Sequence, residues 1–259
     1  MELADREFWG FDPCAEIRSD AGVLQGLYKV RFETPRGTVS GVMVASSGGK
    51  LYGGNSGSSF IGSYTETDGI FVSELMMSRH NHDPNYVPNY AIDNLAMTFK
   101  GVLRGKELHS EGGTAALPGV VLKAVMTPID DADAPPAGVV GPDGIVNGLY
   151  SIHIRMLDGI DGGNTGVMML HNGSIRGGDA FFDYVGAYSA ANGKWKGEIV
   201  NREHTPSMGE RPLFGGHEVG IGFSGTCDDQ GALLDATALA GKRSIRFRAV
   251  LRKIVEVED

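Results

Sequence analysis

The sequence predicts an all-β protein that contains two tandem copies of one antiparallel domain. Three observations lead to this prediction: an internal repeat, an alternation of apolar and polar side chains, and a glycine content of 39 in 259 residues. Glycine at about twice its usual ~7% supplies the tight turns and strand bends that an all-β domain needs. Together the three observations favour short strands joined by tight turns.

The repeat runs through most of the chain at a nearly constant spacing. Gly26-Leu27-Tyr28 returns as Gly148-Leu149-Tyr150, and Gly41-Val42-Met43 returns as Gly166-Val167-Met168. The spacing between equivalent residues stays between 122 and 125, which is too long for a solenoid unit of ~20–50 residues. The chain is therefore a duplicated globular domain, and each copy is large enough for its own core.

Within each copy, apolar residues alternate with polar ones, as in strands that bury one face. In the opening strand Tyr28, Val30 and Phe32 alternate with Lys29 and Arg31, and no stretch shows a convincing 3.6-residue period. Gly, Asn, Asp or Pro falls in most gaps, as tight hairpins require. The strands predicted in the first copy lie at about 26–33, 39–46, 50–54, 59–64, 69–80, 93–101, 104–111 and 119–128.

Sequential antiparallel strands with one apolar face can close into an up-and-down barrel or split into a sandwich. Glycines at strand centres, such as Gly53-Gly54 and Gly177-Gly178, allow strong curvature and favour closure. A barrel of about eight strands is either filled by its own side chains or holds one small ligand. The predicted fold is therefore two tandem up-and-down antiparallel β-barrels of about eight strands each.

The predicted domain boundaries follow from the repeat. Residues 1–24 form an N-terminal extension that has no second copy, residues 25–130 form the first barrel, and residues 147–256 form the second. Residues 131–146 form a linker, because they combine acidic residues with Pro135-Pro136 and a Gly-Pro-Asp-Gly turn.

Charge and hydropathy exclude several classes of partner. A net charge of −9 disfavours binding to nucleic acid and to anionic lipid, both of which attract basic proteins. The acidic start of the chain lacks the pattern of a secretion signal, and no apolar run reaches the ~18 residues of a membrane span. Cys14 and Cys227 are not equivalent in the repeat, which predicts reduced thiols. We therefore expect a cytoplasmic protein that binds neither nucleic acid nor membrane.

Several short motifs resemble a known family. The second copy opens with Gly148-Leu149-Tyr150-Ser151-Ile152, continues with Gly166-Val167-Met168-Met169 and Asn172-Gly173, and reaches Gly177-Gly178-Asp179. This Gly-x-Tyr strand, Gly-rich second strand and Gly-Gly-Asp turn resemble the GrlR family, which are negative regulators of type III secretion. The resemblance implies lipocalin-like β-barrels with an apolar interior. It also implies a dimer, which a tandem chain would reproduce as a pseudo-dimer within one polypeptide.

The resemblance further implies a function and a partner-binding segment. Regulators of this family act without catalysis, by binding a transcriptional activator through an acidic stretch of alternating Glu and Asp. By position that stretch falls on Thr65-Glu66-Thr67-Asp68, so Glu66 and Asp68 are the implied partner-binding residues. The equivalent segment of the second copy, Ser189-Ala190-Ala191-Asn192, carries no acidic residue. The alternative function is a lipocalin-like carrier of a small apolar molecule that has no regulatory partner.

The barrel interior has two interpretations, a core filled by side chains or a cavity for a lipid-like molecule such as an acyl chain or a steroid. The small inward residues Ser73 and Gly197 are expected to leave space near the middle. The predicted cavity lining consists of inward apolar residues of both copies: Tyr28, Phe32, Phe71 and Phe99 in the first, and Tyr150, Ile154, Trp195, Phe223 and Phe247 in the second.

No catalytic, metal or cofactor site is predicted. The chain lacks a nucleophile elbow and a phosphate-binding loop. His80 and His82 could share a strand face, but two ligands are too few for a metal, and the second copy keeps only His204, the equivalent of His80. Glu74 precedes His80 by six residues, about 20 Å along a strand, which is too far for an acid–base pair.

Overall fold

The computed structural model describes residues 24–83, 86, 88, 91–157, 165–207, 214 and 216–257, and they form two closed antiparallel barrels of eight strands each. The predicted fold class is confirmed. The first barrel consists of β1 (Gly26–Thr34), β2 (Gly37–Ala45), β3 (Lys50–Gly54), β4 (Ser58–Thr67), β5 (Ile70–Arg79), β6 (Asn94–Arg104), β7 (Glu107–Gly113) and β8 (Leu122–Pro128). The second consists of β9 (Gly148–Met156), β10 (Thr165–His171), β11 (Ser174–Gly178), β12 (Phe182–Ala191), β13 (Lys194–Glu203), β14 (Glu218–Cys227), β15 (Gly231–Ala240) and β16 (Arg243–Glu256).

Each barrel is an up-and-down meander in which consecutive strands pair in order. The last strand returns to the first, so that β8 pairs with β1 and β16 pairs with β9. Closure removes the unpaired sheet edges that would otherwise template aggregation. The observed bounds of the first eight strands lie within three residues of the predicted ones.

Inward side chains form one apolar core in each barrel. Strand β6 shows the pattern clearly, because Leu95, Met97 and Phe99 are buried while Ala96 and Thr98 are exposed. Burial of such side chains is the main force that holds a barrel of this size together, at ~1.5–3 kcal/mol for each large residue.

Residues near the predicted boundaries take part in the barrels. Leu24, which the sequence assigned to the N-terminal extension, is buried in the first core. Its carbonyl oxygen accepts a hydrogen bond of 3.1 Å from the Tyr64 hydroxyl. The rest of the extension, together with Cys14, lies outside the described residues. The first barrel therefore includes Leu24.

The predicted linker lies along the second barrel. Val140 forms a parallel bridge with Ala190 of β12. The backbone N–H of Ala190 donates to the Val139 carbonyl at 3.0 Å, and that of Asn192 donates to the Pro142 carbonyl at 2.8 Å. Backbone hydrogen bonds thus fix this segment against the hairpin that joins β12 to β13.

The two barrels contact each other through equivalent strands, and the contact is reciprocal. A Cβ atom placed on Gly54 of β3 would lie 2.7 Å from Val167 Cγ1 of β10. A Cβ atom placed on Gly178, the equivalent of Gly54, would lie 2.7 Å from Val42 Cγ1 of β2. Each valine methyl therefore occupies the space that a side chain would need on the opposite barrel. Such pairing of equivalent patches is the geometry of an isologous contact.

A third apolar cluster surrounds these contacts and is formed by outward-facing residues of both barrels. Polar contacts flank it: Lys29 Nζ donates to the His204 carbonyl at 2.7 Å, and the Ala180 N–H donates to Ser56 Oγ at 3.4 Å. The buried members of the cluster are Leu27, Val42, Leu149, Val167, Met169, Val185 and Val257.

We predict that Val42→Ala and Val167→Ala each lower the free energy of unfolding by about 2 kcal/mol. Each change deletes two buried carbon atoms worth ~0.8 kcal/mol apiece and leaves a small cavity. Urea denaturation monitored by tryptophan fluorescence measures the loss. The control Val72→Ala, on the exposed outer face of β5, should change stability by no more than ~0.5 kcal/mol. Equal stability of the two interface variants and this control would contradict the interpretation of the contact.

Candidate ligand site in the first barrel

One end of the first barrel contains a cavity of about 280 Å³. It reaches the surface beside the hairpin between β1 and β2, where Arg36 and Thr38 are exposed. Its walls are apolar and its rim is polar. The apolar lining residues are Phe32, Val39, Phe60, Met77, Leu95, Met97 and Leu122, and the other described lining residues are Thr34, Arg36, Gly37, Thr38, Asn55, Ser58 and Tyr86.

The hairpin between β1 and β2 holds Arg36 at the cavity mouth. Pro35 fixes one backbone dihedral of the turn. Thr34 Oγ1 donates to the Gly37 carbonyl at 2.9 Å and accepts the Arg36 N–H at 3.1 Å. These two hydrogen bonds close the turn and set the point from which the Arg36 side chain leaves the backbone.

Arg79, at the end of β5, fixes the opposite side of the mouth. Its guanidinium donates to the carbonyl oxygens of Asn81, Asp83 and Tyr86 and forms an ion pair of 3.4 Å with Asp93. Arg79 thereby satisfies carbonyl groups that the irregular chain after β5 would otherwise leave unpaired.

Tyr86 crosses the mouth from that segment. Its hydroxyl lies over Gly57, where any side chain would collide with it, and is hydrogen-bonded to Ser58. Burial raises the pKa of the Tyr86 hydroxyl, so this group is neutral near pH 7 and can both donate and accept a hydrogen bond.

The floor of the cavity is the ring of Phe32. It contacts Phe60 edge-on at a centroid distance of 5.2 Å and also packs on Phe99 at 5.9 Å. Below it lies a void of only about 20 Å³, lined in part by Ser73 and Phe99, which has room for about one water molecule. Ser73 therefore leaves a small space, as expected, while most of the space lies nearer the barrel end.

In the second barrel, aromatic rings occupy the corresponding end. Phe247 and Phe182 stand where the first barrel has Leu122 and Ser58. Phe214, from the chain between β13 and β14, is only 5% exposed and packs on Phe247 at a centroid distance of 5.2 Å. These rings belong to one continuous core.

The expectation that Gly197 leaves space in the second barrel is wrong. A Cβ atom there would lie 2.6 Å from Phe223 Cζ, so the Phe223 ring takes the volume that the missing side chain provides. Trp195 packs on Phe223 at 4.5 Å and donates its indole N–H to the Leu233 carbonyl at 3.1 Å. The middle of this barrel is filled by interlocked aromatic rings.

The nine predicted cavity residues all lie in the two cores, but they do not share one role. Phe32 lines the open cavity, and Phe99 lines the small void beneath it. Tyr28 and Phe71 belong to the core at the other end of the first barrel, and the Tyr28 hydroxyl accepts the Gln25 N–H at 3.3 Å. The remaining five are packed core residues of the second barrel: Tyr150, Ile154, Trp195, Phe223 and Phe247.

The sequence interpretation missed the polar residues of the mouth, including Arg36 and Tyr86. They lie on a turn and on an irregular segment, where strand parity carries no information about direction. A comparison of the two copies at Ser58 and Leu122, where the second has phenylalanine, could have located the open end.

Equivalent half-buried histidines anchor the same turn in each barrel. His80 Nε2 donates to the Asn55 carbonyl at 3.0 Å, and His204 Nε2 lies 3.3 Å from the Asp179 carbonyl. Burial is the main cause that lowers the pKa of both imidazoles to about 4. Both rings are therefore neutral near pH 7. His80 joins the end of β5 to the turn after β3, and His204 joins the end of β13 to the turn after β11.

Asn55 and Asp179 shape those turns, but they differ chemically. Asn55 Oδ1 accepts the N–H groups of Gly57 and Ser58, each at 2.9 Å. Asp179 accepts the equivalent pair and is also hydrogen-bonded to the Tyr184 hydroxyl. Burial raises the pKa of the Asp179 carboxyl. The second barrel thus keeps a carboxyl–phenol pair where the first has an amide and Phe60.

The predicted partner-binding residues lie on the hairpin between β4 and β5. Asp68 is exposed and has a φ of +53°, and Gly69 follows with a φ of +76°, as in a two-residue turn with both residues left-handed. Glu66 is half-buried, and its carboxylate accepts the Gly69 N–H at 2.6 Å. In the second barrel the equivalent hairpin donates backbone hydrogen bonds to the Pro142 and Asp143 carbonyls of the linker.

Comparisons with known proteins identify no family. No protein-family model and no curated protein matches the chain. Among solved structures it is similar to a Bacteroides fragilis protein proposed to belong to the outer membrane, at 10% identity and a TM-score of 0.25, over 90% of this chain and 98% of the other. That likeness is too low to carry an argument. The resemblance to the GrlR family therefore stays a prediction.

The described part of the chain contains no helix that is long and apolar enough to cross a membrane. It also contains no group of three or more His, Cys, Asp or Glu side chains that could hold a metal ion. His80, which the sequence analysis considered as half of a metal-binding pair, is engaged with the Asn55 carbonyl.

We predict that stability falls as the pH is lowered from about 6.5 to about 4. The unfolded histidines have a pKa near 6.5, so the unfolded state takes up protons in this window that folded His80 and His204, with pKa values of about 4, do not. The stability contributed by the two neutral histidines is therefore fully present above this pH window. Below it, the free energy of unfolding is lower by up to about 3 kcal/mol for each histidine. Asp179 acts in the opposite direction because its folded pKa is raised.

The difference between wild type and the double variant His80→Gln/His204→Gln isolates the histidine contribution. A glutamine amide can still donate to the same carbonyls but does not titrate. Urea midpoints at pH 7, 5.5 and 4.5 should decline less steeply in the variant. Parallel declines would show that the two imidazoles do not cause the acid sensitivity.

Proposed function

We propose that the protein is a non-enzymatic binding protein whose first barrel takes a small, largely apolar molecule through its open end. The observation that carries the proposal is the 280 Å³ cavity with an apolar wall and a polar rim. Ligand sites in proteins have this composition, in which apolar walls provide affinity and a few polar groups fix orientation. Among the two functions expected from the sequence, the geometry favours the small-molecule carrier.

The difference between the copies supports a division of roles. The second barrel fills the equivalent end with Phe182, Phe214 and Phe247 and contacts the first barrel through Val167. We propose that it acts as a rigid support and that the two barrels form a pseudo-dimer within one chain. The net charge of −9 supports a cytoplasmic protein that binds neither nucleic acid nor anionic membrane.

Contact with a protein partner is the second candidate function, as the resemblance to the GrlR regulators implies. The supporting observation is that Asp68 places a negative charge at an exposed hairpin tip, while the equivalent tip of the second barrel has the uncharged Asn192 and is hydrogen-bonded to the linker. A negative side chain on a rigid turn suits a basic partner surface. In this proposal the partner is a transcriptional activator, and the ligand cavity lies at the opposite end of the same barrel.

We predict that Leu122→Phe weakens ligand binding without loss of stability. The larger ring enters the cavity and copies Phe247 of the second barrel, so the affinity for 2-naphthylmethanol, a fluorescent neutral probe, should fall at least about tenfold. Fluorescence titration measures affinity and thermal unfolding measures stability. The matched control Val121→Phe, at a neighbouring residue that is 52% exposed, should bind like wild type. Unchanged binding in Leu122→Phe would contradict the assignment of the cavity.

We predict that Asp68→Asn abolishes capture of the protein partner while the fold is kept. Asparagine accepts the left-handed backbone of this position, as Asn192 does at the equivalent site. Affinity capture from the native cells followed by quantitative mass spectrometry compares the variant with wild type. The control Asn192→Asp adds a charge to the equivalent hairpin of the second barrel, which is hydrogen-bonded to the linker, and should capture normally. Equal capture by Asp68→Asn and wild type would remove this hairpin from partner binding.

A further inference from the structure

Resting on the proposed binding function, we infer that the ligand of the first barrel is a small aromatic acid. Its one or two rings occupy the apolar cavity, and its carboxylate lies at the mouth beside Arg36. Size, wall chemistry and mouth charge each support one part of this assignment.

The volume limits the ligand to about two fused rings. An apolar cavity of ~150 Å³ holds one benzene molecule, and this cavity measures about 280 Å³. The Phe32 floor and the void of about 20 Å³ beneath it leave no continuation toward the middle of the barrel. A long acyl chain or a steroid therefore exceeds the space available, which narrows the class of apolar ligands considered from the sequence.

The wall chemistry favours a flat aromatic body. Phe32 and Phe60 pack edge to face, with an angle of 74° between their rings. A ligand ring in the cavity can therefore pack against a ring face or a ring edge, the two arrangements that aromatic pairs prefer. Met77 and Met97 complete the wall. Their thioethers adapt to a ring and contribute ~0.3–1.5 kcal/mol for each sulfur–aromatic contact.

The charge at the mouth selects an anion. Arg36 is the one charged side chain among the described lining residues, and the Pro35 turn with its two Thr34 hydrogen bonds fixes its backbone. A guanidinium binds a carboxylate through two parallel hydrogen bonds. Because Arg36 is exposed, a bound carboxylate stays hydrated and avoids the cost of charge burial. The hydroxyls of Thr38 and Tyr86 at the same mouth add neutral donors.

Calorimetric titration of the full chain with four probes tests the class of ligand. They are 2-naphthoate, the neutral 2-naphthylmethanol, the cation 2-naphthylmethylammonium, and decanoate as an aliphatic acid of similar size. We expect 2-naphthoate to bind one per chain and about tenfold tighter than 2-naphthylmethanol, as hydrogen bonds to a charged group predict. The cation and decanoate should bind more weakly than 2-naphthoate. The preference for the anion should shrink at high salt, because the mouth is exposed.

Arg36→Gln is the decisive variant, and Arg31→Gln is its control. Arg31 lies on β1, the strand that leads into the Arg36 hairpin. It is outside the cavity and is ion-paired with Glu33 at 3.0 Å. Arg36→Gln should reduce the affinity for 2-naphthoate to that for 2-naphthylmethanol and leave the neutral probe unchanged. Arg31→Gln should retain the full preference. Thermal unfolding confirms that both variants are folded.

The outcomes separate the ligand class from the proposed function. Equal binding of acid and alcohol, a preference that survives Arg36→Gln, or tighter binding of decanoate would overturn the aromatic-acid assignment while the cavity remains a binding site. Absence of binding by every probe, or binding that survives Leu122→Phe, would overturn the proposed function and this inference with it.

Discussion

The interior of a closed eight-stranded barrel has a volume that its own side chains must fill or leave open, and this constraint governs both halves of the molecule. Strand number and tilt set the volume, so copies with the same strands enclose similar space. The first copy places Ser58 and Leu122 where the second places Phe182 and Phe247. The smaller inward side chains of the first barrel leave a cavity within the same strand arrangement. The larger ones of the second barrel fill the equivalent space as a packed core.

The contact between the barrels also depends on positions where a side chain is missing. Gly54 and Gly178 each expose a bare backbone, into which Val167 and Val42 fit. Glycine in a strand normally weakens it, but here the missing side chain lets two outer faces approach closely. The weak points of the strands thus become the closest points of the interface, which explains their presence in both copies.

The sequence predicted the strands, the closure and the inward residues because a period of two reports directly which face a side chain takes. It did not predict which barrel is open, because that depends on the size of inward side chains and also on residues outside the strands. Phe214 reaches the second core from the chain between β13 and β14, and Tyr86 reaches the first mouth from the chain between β5 and β6. Gly197 was misinterpreted for a related reason, since the space beside it is filled by the ring of Phe223, its pairing partner on the neighbouring strand β14. Periodicity gives the direction of a side chain, but not how far a neighbouring ring extends.

The ligand cavity and the barrel interface meet at one short turn. Gly54 receives the Val167 methyl of the second barrel, and the next residue, Asn55, lines the cavity and closes the turn through its amide oxygen. His80 then fastens the Asn55 carbonyl to the end of β5, from which Arg79 organises the segment that carries Tyr86. The second barrel therefore packs against the turn that forms the base of the cavity mouth. A tandem chain makes this support permanent, because the barrel that stabilises the site cannot dissociate from the barrel that contains it.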